Sequence, residues 1–166
     1  MAHQETVIAW LNDAHALELN LAQVLEHRVE DTKDHPQMQA RVQQHLEQTR
    51  RHAELVKGCI ERLGGSTSAV KSAMGQIGGF FQGVSTGMAK DEMVKNALAD
   101  YASEQFEIAS YTSLIAAAQA IGDQQIATVC QQILRDEEDM ARWLQQQIPM
   151  ITQEFLGLQA REHGMA

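Results

Sequence analysis

Two glutamates, Glu104 and Glu107, stand in a segment whose other residues follow the pattern of a buried helix face. The segment YASEQFEIASY (residues 101–111) places them three positions apart, so their Cβ atoms would lie about 5–6 Å apart on one side of a helix. That side also carries Ile108 and Leu114. A buried ionised carboxylate is costly unless something compensates it, and two at this spacing repel each other. The pair therefore predicts a compensating partner in the core.

Polar residues also interrupt the apolar stripes of the three other long helices predicted below. Glu18 lies in the stripe of the first helix and Glu137 in that of the fourth, where Glu138 adjoins it toward the flank. The second helix has no central carboxylate, but its inner or flanking face carries His45 and His52. Each of these residues falls near the middle of its helix. A bundle would bring them to one level.

These residues have an ordinary structural interpretation when each is taken singly. A lone glutamate on a stripe usually reaches solvent or pairs with a basic residue, and a lone histidine is usually a hydrogen-bonded structural residue. Together they would leave several negative charges in one core. A pair of divalent ions neutralises such a set, and carboxylate and imidazole ligands suit iron or manganese. The pattern favours a dinuclear metal site over the alternative, a purely structural polar layer.

The elements that must position these residues are long helices with apolar stripes of helical period. Proline at position 36 and glycines at 64 and 65 mark the start and the end of the second helix. Gly122 ends the third, and Pro149 is expected to break the fourth before a short C-terminal helix. The helices are predicted at about residues 4–30, 36–63, 91–121 and 123–148, followed by the short one at about 150–160.

Connection lengths restrict the topology. The first and second helices, like the third and fourth, are joined by a few residues and must form antiparallel hairpins. The segment GGSTSAVKSAMGQIGGFFQGVSTGMAK holds seven of the eleven glycines and is long enough to run the length of a bundle, with Phe80 and Phe81 expected to pin it. The predicted fold is all-α: a ferritin-like four-helix bundle of two hairpins joined by a long Gly-rich crossover, as one domain over residues 1–166.

Composition narrows the partners and the location. The chain has 13 basic and 22 acidic residues and a net charge of −9, which argues against nucleic acid and anionic membranes as partners. It has no run of about 18 apolar residues and no secretion signal at its start, so a bacterial-type cytoplasmic location is expected. Cys59 and Cys130 are isolated in helical segments and are predicted to be buried, reduced thiols.

Three functional hypotheses follow. The first is a redox di-metal protein that reacts with oxygen or peroxide, with Tyr111 tuning the site. The second is a metal-binding or storage protein without turnover. The third is a structural protein whose polar layer fixes the helix register. No P-loop motif occurs in the sequence, which argues against a P-loop nucleotide-binding protein. The one Gly-x-Ser-x-Gly spacing, GVSTG at 83–87, lies in the Gly-rich crossover of a predicted all-α chain and lacks the preceding strand of a nucleophile elbow.

Four stretches that carry these residues resemble the YciE/YciF-type ferritin-like proteins of bacteria: DAHALE, QHLEQTRRH, SEQFEIASY and LRDEEDMARWL. The resemblance covers nearly the whole chain. It implies a soluble homodimeric four-helix bundle linked to stress responses, with no settled biochemical activity. It also implies that the metal ligands, for two iron or manganese ions, are Glu18, His45, Glu104, Glu107 and Glu137.

The second helix departs from the general di-iron pattern, in which two helices each carry Glu-x-x-His. No such motif exists at these positions, because Glu47 is followed three residues later by Arg50 and Glu137 by Met140. Position 48 is Gln where the resemblance leads us to expect an acid, and position 52 is His rather than Gln. His52 therefore either replaces a lost ligand or supports the ligands from outside, and Glu138 is a second, less central candidate.

Overall fold

A computed structural model describes residues 2–67 and 91–162 of the chain, with side chains to position 157. Four α-helices account for nearly all of these residues, and the described ranges contain no strand. The helices are α1 (Ala2–Asp31), α2 (Pro36–Arg62), α3 (Glu92–Ala120) and α4 (Gln124–Glu162). Their bounds match the predicted ones to within a few residues, except at the end of α4.

The fourth helix does not stop at Pro149, so the prediction of a break and a separate C-terminal helix was wrong. α4 continues through Pro149 to Glu162 as one helix. A proline inside a helix leaves the carbonyl four residues earlier without its donor. Both Pro149 and Gln145 are exposed, so water can hydrate that carbonyl. Ile151, only 7% exposed, packs against the bundle and holds the helix beyond the proline.

The helices form two antiparallel hairpins packed side by side, which confirms the predicted bundle. α1 packs mainly on α2 and α3 mainly on α4, with smaller contacts between α1 and α3 and between α2 and α4. Arg28 pairs with Asp100 near one end of the bundle, whereas Glu18 meets Tyr111 nearer the middle, so α1 and α3 are antiparallel.

Because α1 is antiparallel to both α2 and α3, those two helices point the same way. Arg62 and Glu92 consequently lie at opposite ends of the bundle, which is the up-down-down-up order of ferritin-like bundles. The glycine-rich crossover predicted between them, with Phe80 and Phe81, lies outside the described residues.

The turn between α3 and α4 is built from two residues. Gly122 adopts a left-handed φ of +78°. Its N–H donates to the carbonyl of Gln119 at 3.0 Å, and the next N–H, of Asp123, donates to Ala118 at 2.9 Å, which is a Schellman end. The Asp123 carboxylate then accepts the N–H of Ile126 at 3.1 Å and caps α4. The tight turn fixes the relative register of α3 and α4.

Apolar side chains form two separate buried clusters along the bundle. The larger lies at the end where α3 meets α4 and includes Leu11, Ile60 and Ile133, each 0% exposed. The smaller lies toward the α1–α2 turn and consists of Ala22, Leu25, Val42 and Leu46. On α1, Glu18 is the buried residue that stands one turn from either cluster. The core is therefore interrupted near mid-length by polar residues.

Cys59 and Cys130 are both buried and unpaired by disulfide, as predicted. Burial raises the pKa of the Cys59 thiol to about 11 and that of Cys130 to about 12, so both stay protonated at neutral pH. No helix in the described part of the chain is both long enough and apolar enough to span a bilayer.

Replacing two glycines by alanine should have opposite effects on stability. Gly122→Ala forces a Cβ into the left-handed region and should cost about 1–2 kcal/mol. Gly58→Ala lies on the exposed face inside α2, where an added Cβ meets nothing within 4 Å, and should add about 0.5–1 kcal/mol. Urea unfolding of both variants measures the two changes. Equal effects would contradict the assigned turn.

Candidate metal centre

A layer of polar side chains crosses the bundle between the two apolar clusters. α1 contributes Glu18, α3 contributes two glutamates, α4 contributes Glu137, and α2 contributes the histidines. All are nearly inaccessible to solvent, with relative exposures of 0–4%. The buried members are Glu18, His45, Thr49, His52, Glu104, Glu107 and Glu137. The expectation that Glu104 and Glu107 face the core is confirmed.

One group of potential ligands comprises Glu18, His52 and Glu137. Each residue offers an atom that lies within 4.8 Å of the other two. The Nδ1 atom of His52 is 2.8 Å from Oε1 of Glu137 and 3.8 Å from Oε2 of Glu18. The shorter contact is an ion pair when His52 is protonated and Glu137 is ionised, although its direction is poor for a hydrogen bond.

A second group comprises His45, Glu104 and Glu137, again with ligand atoms within 4.8 Å of one another. The Nε2 atom of His45 is 3.1 Å from Oε1 of Glu104 and 3.6 Å from Oε2 of Glu137. Glu137 therefore belongs to both groups. It directs one carboxylate oxygen toward each histidine.

The remaining sequence candidates lie outside these two groups. Glu107 is buried, at 2% exposure, but joins neither group. Glu138 is exposed on the outer side of α4. His52, the less expected of the two histidines, is fully buried and central. The helical stripes predicted that polar residues of the second helix lie in the layer. They did not predict that His52 is a better candidate ligand than Glu107.

Several buried atoms of the layer have no hydrogen-bond partner. They are Glu18 Oε2, Glu104 Oε2, both oxygens of Glu137, and Nδ1 of both histidines. Within residues 2–67 and 91–157, no lysine or arginine forms an ion pair with any of the layer's four glutamates. Native proteins rarely leave so many buried polar atoms unsatisfied. Carboxylate oxygens and imidazole nitrogens left without partners fit a divalent metal ion.

Burial and mutual repulsion raise the carboxyl pKa values of the layer. Burial is the main cause at each of the four. It brings the pKa of Glu104 to about 8, with Asp100 adding to the rise, and holds those of Glu18 and Glu107 well above the ordinary range. The charge of Glu137 further raises the pKa of Glu18 and of Glu107. The pKa of Glu137 is raised as well, although His52 partly offsets that shift.

The two histidines differ in their pKa shifts. Burial lowers the pKa of His45, and the nearby charge of Glu137 only partly opposes this. Burial also acts to lower the pKa of His52, but the adjacent carboxylates of Glu137, Glu18 and Asp136 outweigh it and raise the pKa to about 9. At neutral pH without a metal, His45 is therefore neutral and His52 is protonated.

Tyr111 contacts the layer from the side of the larger apolar cluster. Its hydroxyl donates a short hydrogen bond to Oε1 of Glu18. Glu18 thereby has one oxygen held by the phenol and the other directed toward His52. Burial and the charge of Glu18 raise the pKa of Tyr111 well above 10, so the phenol keeps its proton.

The sequence analysis missed one residue that contacts the layer, Asp136. Its Oδ2 atom lies 3.0 Å from Nε2 of His52 and accepts a hydrogen bond from Arg51 at 3.1 Å. In the sequence, Asp136 is one of four consecutive acidic residues, 136–139, and a run of this kind is typical of solvent-exposed positions. Only the packing of α2 against α4 reveals that it reaches His52.

The metal-free protein should lose stability as the pH rises from 6.5 to 9. A carboxyl whose pKa is raised in the folded state makes that state less stable as the pH rises toward the raised pKa. For Glu104 this loss continues up to about pH 8. The raised pKa of His52 stabilises the fold below 6.5, and this contribution is lost by about pH 9. The lowered pKa of His45 acts only below 6.5.

Urea unfolding of chelator-treated protein across this pH range tests the trend. Glu104→Gln should make the slope shallower, since the variant cannot ionise at that position. A wild-type stability that is constant or increases with pH would show that the carboxyls are not protonated in the fold.

Comparison with known proteins places the chain in a family. It is 30% identical to a protein of Xanthomonas campestris pv. campestris, over 96% of this chain and 99% of that one, with a TM-score of 0.81. It shares its fold with the E. coli stress protein YciF (22% identity, 91% and 97% coverage, TM-score 0.78). It also shares it with a Desulfovibrio desulfuricans bacterioferritin that has a diiron site (21%, 92% and 83%, TM-score 0.75). The chain belongs to the family described as domain of unknown function DUF892, whose model matches residues 2–157.

Proposed function

We propose that this protein binds two divalent metal ions, iron or manganese, in its polar layer. Glu18, His52 and Glu137 hold one ion, and His45, Glu104 and Glu137 hold the other. Glu107, whose pKa the charges of the other three glutamates raise, completes the carboxylate set beside them. Thr49 is buried in the same layer.

The observation that carries this proposal is the position of the Glu137 carboxylate. One of its oxygens is 2.8 Å from Nδ1 of His52, and the other is 3.6 Å from Nε2 of His45. Neither oxygen accepts a well-directed hydrogen bond from any group of the described residues. A carboxylate that faces two nitrogen ligands in this way would supply an oxygen to each of two metal ions, and di-iron bundles build such sites from facing glutamates and histidines in their cores.

Charge balance supports the same reading. When ionised, Glu18, Glu104, Glu107 and Glu137 carry a charge of −4, and two divalent ions carry +4. Neutralisation removes the repulsion that raises their pKa values. The similarity in fold to a bacterioferritin whose structure has a diiron site supports the proposal.

Bound iron or manganese would supply redox chemistry toward oxygen or peroxide, and we propose an oxidoreductase activity of that class. The chain's own residues set the environment of that chemistry. The two apolar clusters exclude water above and below the layer. Tyr111 holds one oxygen of Glu18 and leaves the other free to bind.

A non-catalytic polar layer is the alternative function. The Tyr111–Glu18 and His45–Glu104 contacts exist without a metal and would help fix the helix register. With raised pKa values, several of the glutamates can also stay protonated. On this alternative, a chelator changes neither the stability nor the spectrum of the protein.

The wider role stays a prediction. A stress-related function follows the description of the E. coli neighbour as a stress protein. A homodimer, a cytoplasmic location and a single domain over the whole chain follow from the sequence analysis alone. Size-exclusion chromatography with light scattering tests the dimer directly.

Glu137→Gln should abolish binding of both ions, because the amide cannot serve both groups. Protein purified without a metal-affinity tag is titrated anaerobically with ferrous or manganous ion, and bound metal is counted by elemental analysis. We expect about two ions per wild-type chain. At a free metal concentration of 100 times Kd, each occupied site should raise the free energy of unfolding of the wild type by about 2.7 kcal/mol. This corresponds to an increase in Tm of roughly 5–10 °C for each site.

Glu138→Gln is the matched control, since it makes the same change at the neighbouring, exposed position and should bind two ions. The metal-free Glu137→Gln variant also lacks the carboxylate that pairs with protonated His52 at 2.8 Å, so its folding is verified by urea unfolding before metal is added. A wild-type protein that takes up neither ion would overturn the proposal and leave the structural layer as the function.

A further inference from the structure

The two halves of the proposed site differ in what stands behind their histidines. On the side away from the layer, Nε2 of His52 lies 3.0 Å from Oδ2 of Asp136. The corresponding outer nitrogen of His45, Nδ1, is buried and contacts no carboxylate of the described residues, and the neutral side chain of Gln48 also acts on this histidine. A carboxylate therefore supports only one of the two potential nitrogen ligands.

We propose that Asp136 is a positioning residue that holds His52 with Nδ1 directed at the metal. The inference rests on the proposed di-metal function. With Nε2–H donating to Asp136, a neutral imidazole must carry its lone pair on Nδ1, the atom that faces Glu137 and Glu18. The hydrogen bond also fixes the ring plane. Metal-binding histidines commonly have such a partner, and its loss typically weakens binding by about 10–100-fold.

Arg51 holds Asp136 in place from the solvent side. Its guanidinium donates to the same Oδ2 atom at 3.1 Å. Arg51 precedes His52 on α2, so both donors to Asp136 come from one turn of one helix. The Asp136 carboxylate, with 24% of its side chain exposed, is thereby fixed across the α2–α4 interface.

The consequence is an inequivalent pair of metal positions. The position of Glu18, His52 and Glu137 depends on Asp136, whereas the position of His45, Glu104 and Glu137 does not. His52 stands where the family resemblance led us to expect glutamine. The hydrogen bond to Asp136 orients that histidine as a ligand.

The test is an anaerobic titration of tag-free protein with cobaltous chloride, followed by the visible absorption of bound Co²⁺ and by calorimetry. We expect two Co²⁺ per wild-type chain. Asp136→Ala should weaken one of the two binding steps by about 10–100-fold and leave the other within about threefold. Asp136→Asn keeps the side-chain volume and an acceptor oxygen, so it should fold normally and show a smaller loss.

Two controls separate positioning from other effects. Asp139→Ala removes the same charge one turn further along α4, from a side chain that is 65% exposed and pairs with Arg142 at 2.8 Å and Arg41 at 3.6 Å, and should bind as wild type does. In a His52→Leu background, Asp136→Ala should produce no further loss, because there is no ring left to orient.

The outcomes distinguish the two proposals. If the wild type binds two Co²⁺ and both Asp136 variants match it, the positioning role is wrong and the di-metal function stands. An equal loss with and without His52 would likewise overturn the positioning role. If the wild type binds no Co²⁺, and no ferrous or manganous ion either, both proposals fall together.

Discussion

The burial of four carboxyl groups that form no ion pair with a lysine or arginine of the described residues is the constraint on which the rest of this structure depends. Glu18, Glu104, Glu107 and Glu137 meet at mid-bundle, where burial and mutual repulsion oppose their ionisation. A folded chain can meet this cost by keeping protons on the groups or by binding cations. The raised pKa values describe the first solution, and the unpartnered oxygens favour the second.

The remainder of the fold compensates for this interruption and fixes its geometry. An apolar cluster on either side supplies the burial that the layer itself does not. The Schellman turn at Gly122 sets the register of α3 against α4 and thus the height of the α3 glutamates relative to Glu137. The buried Arg28–Asp100 ion pair, with N–O distances of 3.0 Å, does the same for α1 against α3. Precise helix register matters here because ligand atoms must converge within a few ångströms.

Helical periodicity predicted most of this arrangement. It placed Glu18 and Glu137 on apolar stripes, and short connections beside Gly122 and Pro36 predicted the hairpins. It failed at Pro149, where the packing of Ile151 outweighed a local helix-breaking preference. It also could not tell that His52, and not Glu107, belongs to a group of converging ligand atoms. Periodicity gives the face of each helix, whereas convergence also depends on side-chain rotamers and on the distances between helices. Asp136 was missed because its partner, His52, lies 84 positions away on another helix.

The asymmetry between the histidines is the feature that a purely structural layer explains least. A layer that only fixed register would be served best by groups whose hydrogen bonds are all satisfied. Instead, the outer nitrogen of His52 is bonded to Asp136, its inner Nδ1 faces Glu137 at 2.8 Å, and Glu137 directs one oxygen toward each half. His52 and Glu18 each have one atom held by a neighbour, Asp136 or Tyr111, and the other directed at the group of potential ligands that they share with Glu137. That polarity, more than the number of glutamates, favours metal binding over register as the reason for the layer.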